Sequence, residues 1–261
     1  MSNTRAFVAV KPLVIMVCFS LLSIFSISSV TAADLTGNIT LTSNYIFRGL
    51  DRSNRSPAVQ GGYDWSHGSG LYTGVWASSV STHPEGSPLV FETGPDGSIE
   101  VDGYFGYVTE WQKYGLGMDV GFIHYRFPHT SDENNEVYGV VSFKGLSGSI
   151  WYEFNENTEN LMVDGELEEI PSESNANTFI YGKLAYEVTL GPEIGISVAV
   201  GQQTLDTDFD KTGAELDDIV DWSLGIGKTF FGVDFSLKYS DTNLDTDEKT
   251  EFVVLSLSKS L

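Results

Sequence analysis

From Asp34 to the C-terminus, apolar and polar residues alternate one for one in segment after segment and almost nowhere recur at helical spacing. Side chains on a β-strand point to opposite faces in turn, so this pattern describes two-faced strands and an all-β chain. Twelve segments qualify: 36–47, 57–66, 70–80, 98–111, 114–126, 135–145, 147–156, 177–190, 193–204, 217–229, 231–240 and 250–261. Each is near the ~10 residues that a tilted strand needs to cross a bilayer. The connections alternate too. Tight turns at His67-Gly68-Ser69, Gln112-Lys113, Gly145-Leu146, Gly191-Pro192 and Phe230 to Gly232 follow the even strands, and long polar links follow the odd ones. An even strand number with short turns on one rim and long loops on the other is the plan of a transmembrane β-barrel of outer-membrane type.

The alternation also assigns the faces. Ile39, Leu41, Tyr45 and Phe47 face lipid on the first predicted strand, and Leu116, Met118, Val120 and Phe122 on the fifth. Ile194, Ile196, Val198 and Val200 do so on the ninth, and Val233, Phe235, Leu237 and Tyr239 on the eleventh. The positions between them are polar or small, such as Asn38, Thr40 and Thr42, or Gly195, Ser197 and Ala199. A soluble sandwich alternates as well, but seldom sets so much Gly, Ser, Thr and charge opposite every apolar face. Aromatics gather where two interfacial girdles belong, with Trp65, Trp111, Tyr114 and Phe231 by the short turns and Tyr45, Phe47, Phe122, Tyr152 and Phe154 by the long loops. The last strand alternates Val253, Leu255, Leu257 and Leu261, resembling the terminal signal read by outer-membrane assembly machinery, although Lys259 and the non-aromatic final residue depart from it.

Residues 1–33 differ in kind. Arg5 and Lys11 precede an apolar run, Leu13 to Ile27, that ends in the small-residue stretch Ser28 to Ala33, as in a cleaved secretory signal peptide. The single cysteine, Cys18, lies in that segment, so the barrel domain expected over 34–261 has no disulfide. With 14 basic against 36 acidic residues the chain carries a net charge of −22, which repels a phosphate backbone and excludes nucleic acid as a partner. The expected surroundings are outer-membrane lipid and small solutes, in the outer membrane of a Gram-negative cell.

Asp34 to Asn38, Ser43-Asn44-Tyr45-Ile46-Phe47-Arg48-Gly49, Pro57 to Gly62 and Gly70 to Ser78 together resemble a proteobacterial family called Gcw_chp, most closely over the first 80 residues. The resemblance implies an outer-membrane-type barrel of unassigned role. It carries no catalytic or binding residues over.

Of the histidines, His129 lies two residues from Ser131, the spacing of lipid-cleaving barrel enzymes, but in a polar loop with no group to orient it; His124 faces lipid with Arg126 two residues on. No catalytic residue and no enzymatic activity are expected, and no cofactor is required. The loop Glu156 to Glu173 is densely acidic, and Asp206, Asp208, Asp210 and Asp217 offer alternate carboxylates of the kind Ca²⁺ takes, although Lys211 stands where a calcium loop has its turn glycine. A solvated acidic surface explains the same residues. By parity the lumen receives eleven acids (Asp64, Glu100, Asp102, Glu110, Asp119, Glu136, Glu153, Glu187, Asp217, Asp221 and Asp234) against four bases (Arg48, Lys144, Lys183 and Lys238). The excess predicts a narrow porin-like channel favouring cationic or neutral solutes. The alternatives are a plugged structural or adhesive barrel with cation-binding acidic loops, and a lipid-modifying barrel enzyme.

Overall fold

The computed structural model describes residues 33–81, 98–128, 133–154, 158–163, 166–171, 179–191, 194–205, 218–244 and 250–261. Twelve antiparallel strands close a barrel: β1 (Asp34–Thr42), β2 (Ala58–Ser66), β3 (Leu71–Val80), β4 (Ser98–Trp111), β5 (Leu116–Arg126), β6 (Glu133–Phe143), β7 (Leu146–Glu153), β8 (Phe179–Leu190), β9 (Ile194–Leu205), β10 (Ile219–Phe230), β11 (Val233–Thr242) and β12 (Phe252–Ser260). Each strand pairs with its neighbours in sequence, and β1 closes the ring by pairing with both β2 (Thr42↔Ala58) and β12 (Thr42↔Ser256). A two-stranded ribbon, Thr158–Val163 with Glu166–Pro171, stands apart from the barrel sheet. The predicted signal segment up to Ala32, His129, Ser131 and the carboxylates Asp206, Asp208, Asp210 and Asp217 lie outside the described residues.

Tight turns follow from local chemistry. Lys144-Gly145 and Phe231-Gly232 both adopt positive φ at each of two turn residues, the conformation that matches the strands' twist in a two-residue hairpin. The outer face is apolar all round: Leu41, Val59, Val75, Phe105, Val137, Ile150, Leu184, Val198, Leu224, Leu237 and Leu255 are all exposed. Buried positions between them include Thr40, Gln60, Asp64, Glu136, Ser223 and Ser256. This inverts a soluble protein, since a continuous apolar belt around a closed barrel is stable against lipid and not against water. Trp65, Trp111, Tyr114 and Phe231 are exposed by the short turns; at the opposite rim Phe105, Phe122, Phe154 and Tyr152 form a chain of ring contacts.

One prediction fails here. The strand drawn over 36–47 ends at Thr42, and Tyr45 and Phe47 are buried inside the barrel, 4% and 9% exposed, rather than facing lipid. The Thr42 hydroxyl bonds the Asn44 carbonyl at 2.8 Å, Ser43 trades two hydrogen bonds with Leu255, and the chain then turns inward.

The inner wall between β3 and β9 is built of tyrosines laid over glycines. Tyr72 lies on Gly106, Tyr104 on Gly74, Tyr138 on Gly121 and Tyr181 on Gly201, each close enough that a Cβ on the glycine would collide with the ring. Gly121→Val should therefore lower the unfolding midpoint in urea by the equivalent of about 1–3 kcal/mol, as overpacking does. Gly139, whose added Cβ meets nothing within 4 Å, should take alanine with the midpoint unchanged or raised.

Candidate functional site: the lumen and its inner hairpin

Between β1 and β2 the chain enters the lumen. Ile46–Phe47 pairs with Leu50–Asp51 in a short hairpin whose turn, Arg48-Gly49, has positive φ at both residues. Backbone inside a membrane barrel must find its partners locally, and here it does. The Asp51 carboxylate accepts from the backbone N–H of Ser53 (2.9 Å) and Arg55 (2.8 Å). The Ser53 hydroxyl accepts from Tyr45 N (2.8 Å) and lies 2.6 Å from Asn44 Oδ1. Tyr45 packs edge-on against Trp76 of β3 and Phe47 against Tyr125 of β5. A Cβ on Gly49 would strike Thr242 of β11 and come within 2.7 Å of Asp221 Cβ on β10. The hairpin thus crosses the lumen from β3 to β10 and β11.

Arg48 pins it. Its guanidinium makes a two-pronged contact with the Glu136 carboxylate, 2.7 and 2.8 Å, with side chains only 7% and 1% exposed. It also sits against the faces of Phe47, Tyr181 and Trp151, at 4.7, 4.6 and 5.5 Å from the ring centres. Planar stacking and a forked donor set are what arginine supplies and lysine does not. Tyr125 Oη donates to the same Glu136 carboxylate at 2.8 Å.

Four further inward carboxylates also meet a tyrosine, whereas Asp102, fully buried on β4, has no hydrogen-bond partner among the described residues. Tyr72 donates to Asp119 (2.6 Å), Tyr181 to Asp221 (2.8 Å), Tyr104 to Asp64, and Tyr45 reaches Glu100 at 3.4 Å. The opposite wall is small and hydroxylic: Thr40 meets Ser258, and Ser256 donates to Thr42, both at 2.9 Å.

The predicted lumen residues stand in different settings. Glu100 and Asp102 are fully buried beside the inner hairpin, whereas Asp119 lies further down the wall and Glu110, on the same face of β4, is exposed near the short turns. Arg48 comes from the hairpin rather than from a strand. Lys183 lines a cavity of ≈ 90 Å³ below it, together with Glu187, Asp221, Lys238 and Ser149. The hairpin was missed because Tyr45 and Phe47 keep the strand parity; the signal for it was Phe47-Arg48-Gly49-Leu50, the same X-Gly turn flanked by apolar residues that closes β6 to β7. Among the described residues, no group of three or more His, Cys, Asp or Glu is arranged to hold a metal ion. A histidine and a serine do meet in the β2–β3 turn, His67 Nδ1 to Ser69 Oγ at 2.8 Å, but both are exposed and the contact closes the turn that also carries Gly70 N to His67 O.

A family profile described as bacterial protein of unknown function (Gcw_chp) matches residues 28–258. No curated protein matches the sequence. In fold the chain is similar to the NanC porin, with a TM-score of 0.50 and 8% identity over 86% of this chain and 98% of the porin's. It is equally similar to a chain solved in work on the in-meso crystallization of membrane proteins, with a TM-score of 0.51 and 8% identity over 87% of this chain and 83% of the other. At these identities the likeness concerns the fold alone.

Removing one partner of a buried pair leaves the other charge unpaired. Arg48→Met should lower stability by about 3–5 kcal/mol, and Arg48→Met with Glu136→Leu should recover most of that loss. Urea unfolding followed by heat-modifiable gel migration measures both.

Proposed function

The chain belongs to the Gcw_chp family of bacterial proteins, and from that premise and its barrel fold we propose that it is a narrow outer-membrane pore for small polar solutes, constricted at its long-loop end by the inner hairpin. The observation that carries this reading is the closed barrel with an apolar outside and a charged, hydroxyl-lined inside. A wall of Ser, Thr and Gly on one side and tyrosine–carboxylate pairs on the other offers a solute hydrogen-bond partners in place of water. The lumen's excess of carboxylates favours cationic and neutral solutes. The start of β1 and the end of β12 share the short-turn rim, with Leu261 N bonded to Gly37 O at 2.8 Å, and we assign that rim to the periplasm.

A second reading, a plugged barrel with a structural or adhesive role, is favoured by the buried Arg48–Glu136 pair that seats the hairpin across the lumen.

Conductance in planar bilayers separates the two. The purified barrel should conduct, and replacing residues 46–51 by a short glycine-serine link should raise the conductance per channel. Under a salt gradient the reversal potential should favour cations, and that bias should fall as the Debye length drops from about 10 Å at 0.1 M to about 3 Å at 1 M salt. A barrel that stays silent until the hairpin is removed favours the plug.

A further inference from the structure

Below the inner hairpin the register places four charges at the corners of one wall. Lys183 on β8 pairs with Gly201 on β9, which pairs with Asp221 on β10. Four residues along β8, two inward-facing rows away, Glu187 pairs with Ser197, Ser197 with Gly225, and Gly225 with Lys238 on β11. Each row thus carries one base and one acid at its ends, in opposite order, with only glycine and serine between. At about 4.8 Å per strand the rows span roughly 10 and 14 Å at the backbone; the Tyr181 ring crosses Gly201 to donate to Asp221, and the small residues Ala185, Ser223 and Ser240 line the cavity between the two rows.

The four groups act on one another, since Lys183 is within electrostatic reach of Lys238, Asp221 and Glu187. All four line the same cavity of ≈ 90 Å³, the size of a solute with a handful of non-hydrogen atoms. Arg48 lines the cavity too, but its charge is met by Glu136, and the equal numbers of acids and bases among the other four give the patch no net pull on a simple cation or anion. Their alternating order does favour a solute with both charges, whose ammonium end turns to Glu187 or Asp221 and whose carboxylate turns to Lys183 or Lys238.

We propose that this four-cornered patch binds small zwitterions, solutes carrying one ammonium and one carboxylate, on their way through the barrel. The proposal rests on the pore reading and names the solute class for it.

Trp151 lines the same cavity and its fluorescence reports occupancy whether or not the barrel conducts. The folded barrel in detergent is titrated with L-alanine and, separately, with acetate, methylammonium and acetamide. Alanine should give a saturable change, absent in Trp151→Phe, at a concentration about tenfold below that of any of the other three, because only it can satisfy both ends at once. Lys183→Gln and Glu187→Gln, each checked for folding by heat-modifiable migration, should each erase most of that preference, and the milder Lys238→Arg should keep it. Equal responses to all four probes, a tighter response to acetate or methylammonium, or a change that survives in Trp151→Phe would overturn the proposal. Conductance read in parallel keeps it separate from the pore reading: a conducting barrel indifferent to alanine sinks the zwitterion site alone, and a silent barrel that binds alanine sinks the pore and leaves the site.

Discussion

A backbone polar group left without a partner in hydrocarbon costs several kcal/mol, and every other feature of this protein is arranged around that penalty. Strands meet it only when the sheet closes on itself. Closure between β1 and β12 removes the last free edge, and once the ring is shut, alternate side chains have no choice but lipid or lumen. The apolar belt and the polar interior are then one fact seen from two sides.

The interior is where a barrel of twelve strands must decide between filling and emptiness. Bulk is distributed unevenly: tyrosines cover the wall from β3 to β9, each resting on a glycine of the adjoining strand, and small hydroxylated residues line the remainder. A tyrosine can cross a glycine because there is no Cβ to lift it, which brings its hydroxyl to a carboxylate such as Asp119 or Asp221. Acids such as these stand in hydrogen-bonded pairs, which fixes their positions and limits how far a simple count of lumenal charge describes the field.

The inner hairpin concentrates what remains. Arg48 brings one positive charge to Glu136 from 88 positions away in sequence, and the rings of Phe47, Trp151 and Tyr181 shield the pair. A charge pair so far from water is specific rather than strongly stabilising, because desolvation offsets most of the attraction. Its value lies in holding one segment across the lumen in one place, above a cavity whose charges face inward from β8, β10 and β11.

Strand number, strand limits to within a few residues, the alternation of short and long connections and the outward face from β2 to β12 were legible in the sequence, because period-two patterning and glycine turns act between near neighbours. The 98–111 strand matches residue for residue. Tyr45 and Phe47 were misassigned for an equally physical reason. They continue the parity of β1, yet the chain leaves the sheet at Ser43, and what draws it inward is a set of contacts with Trp76, Tyr125, Glu136 and Thr242 that no local pattern contains. The same holds for the four charges beneath the hairpin. Sequence parity placed Lys183, Glu187, Asp221 and Lys238 in the lumen, but only the register between strands decided that acids and bases alternate around one cavity.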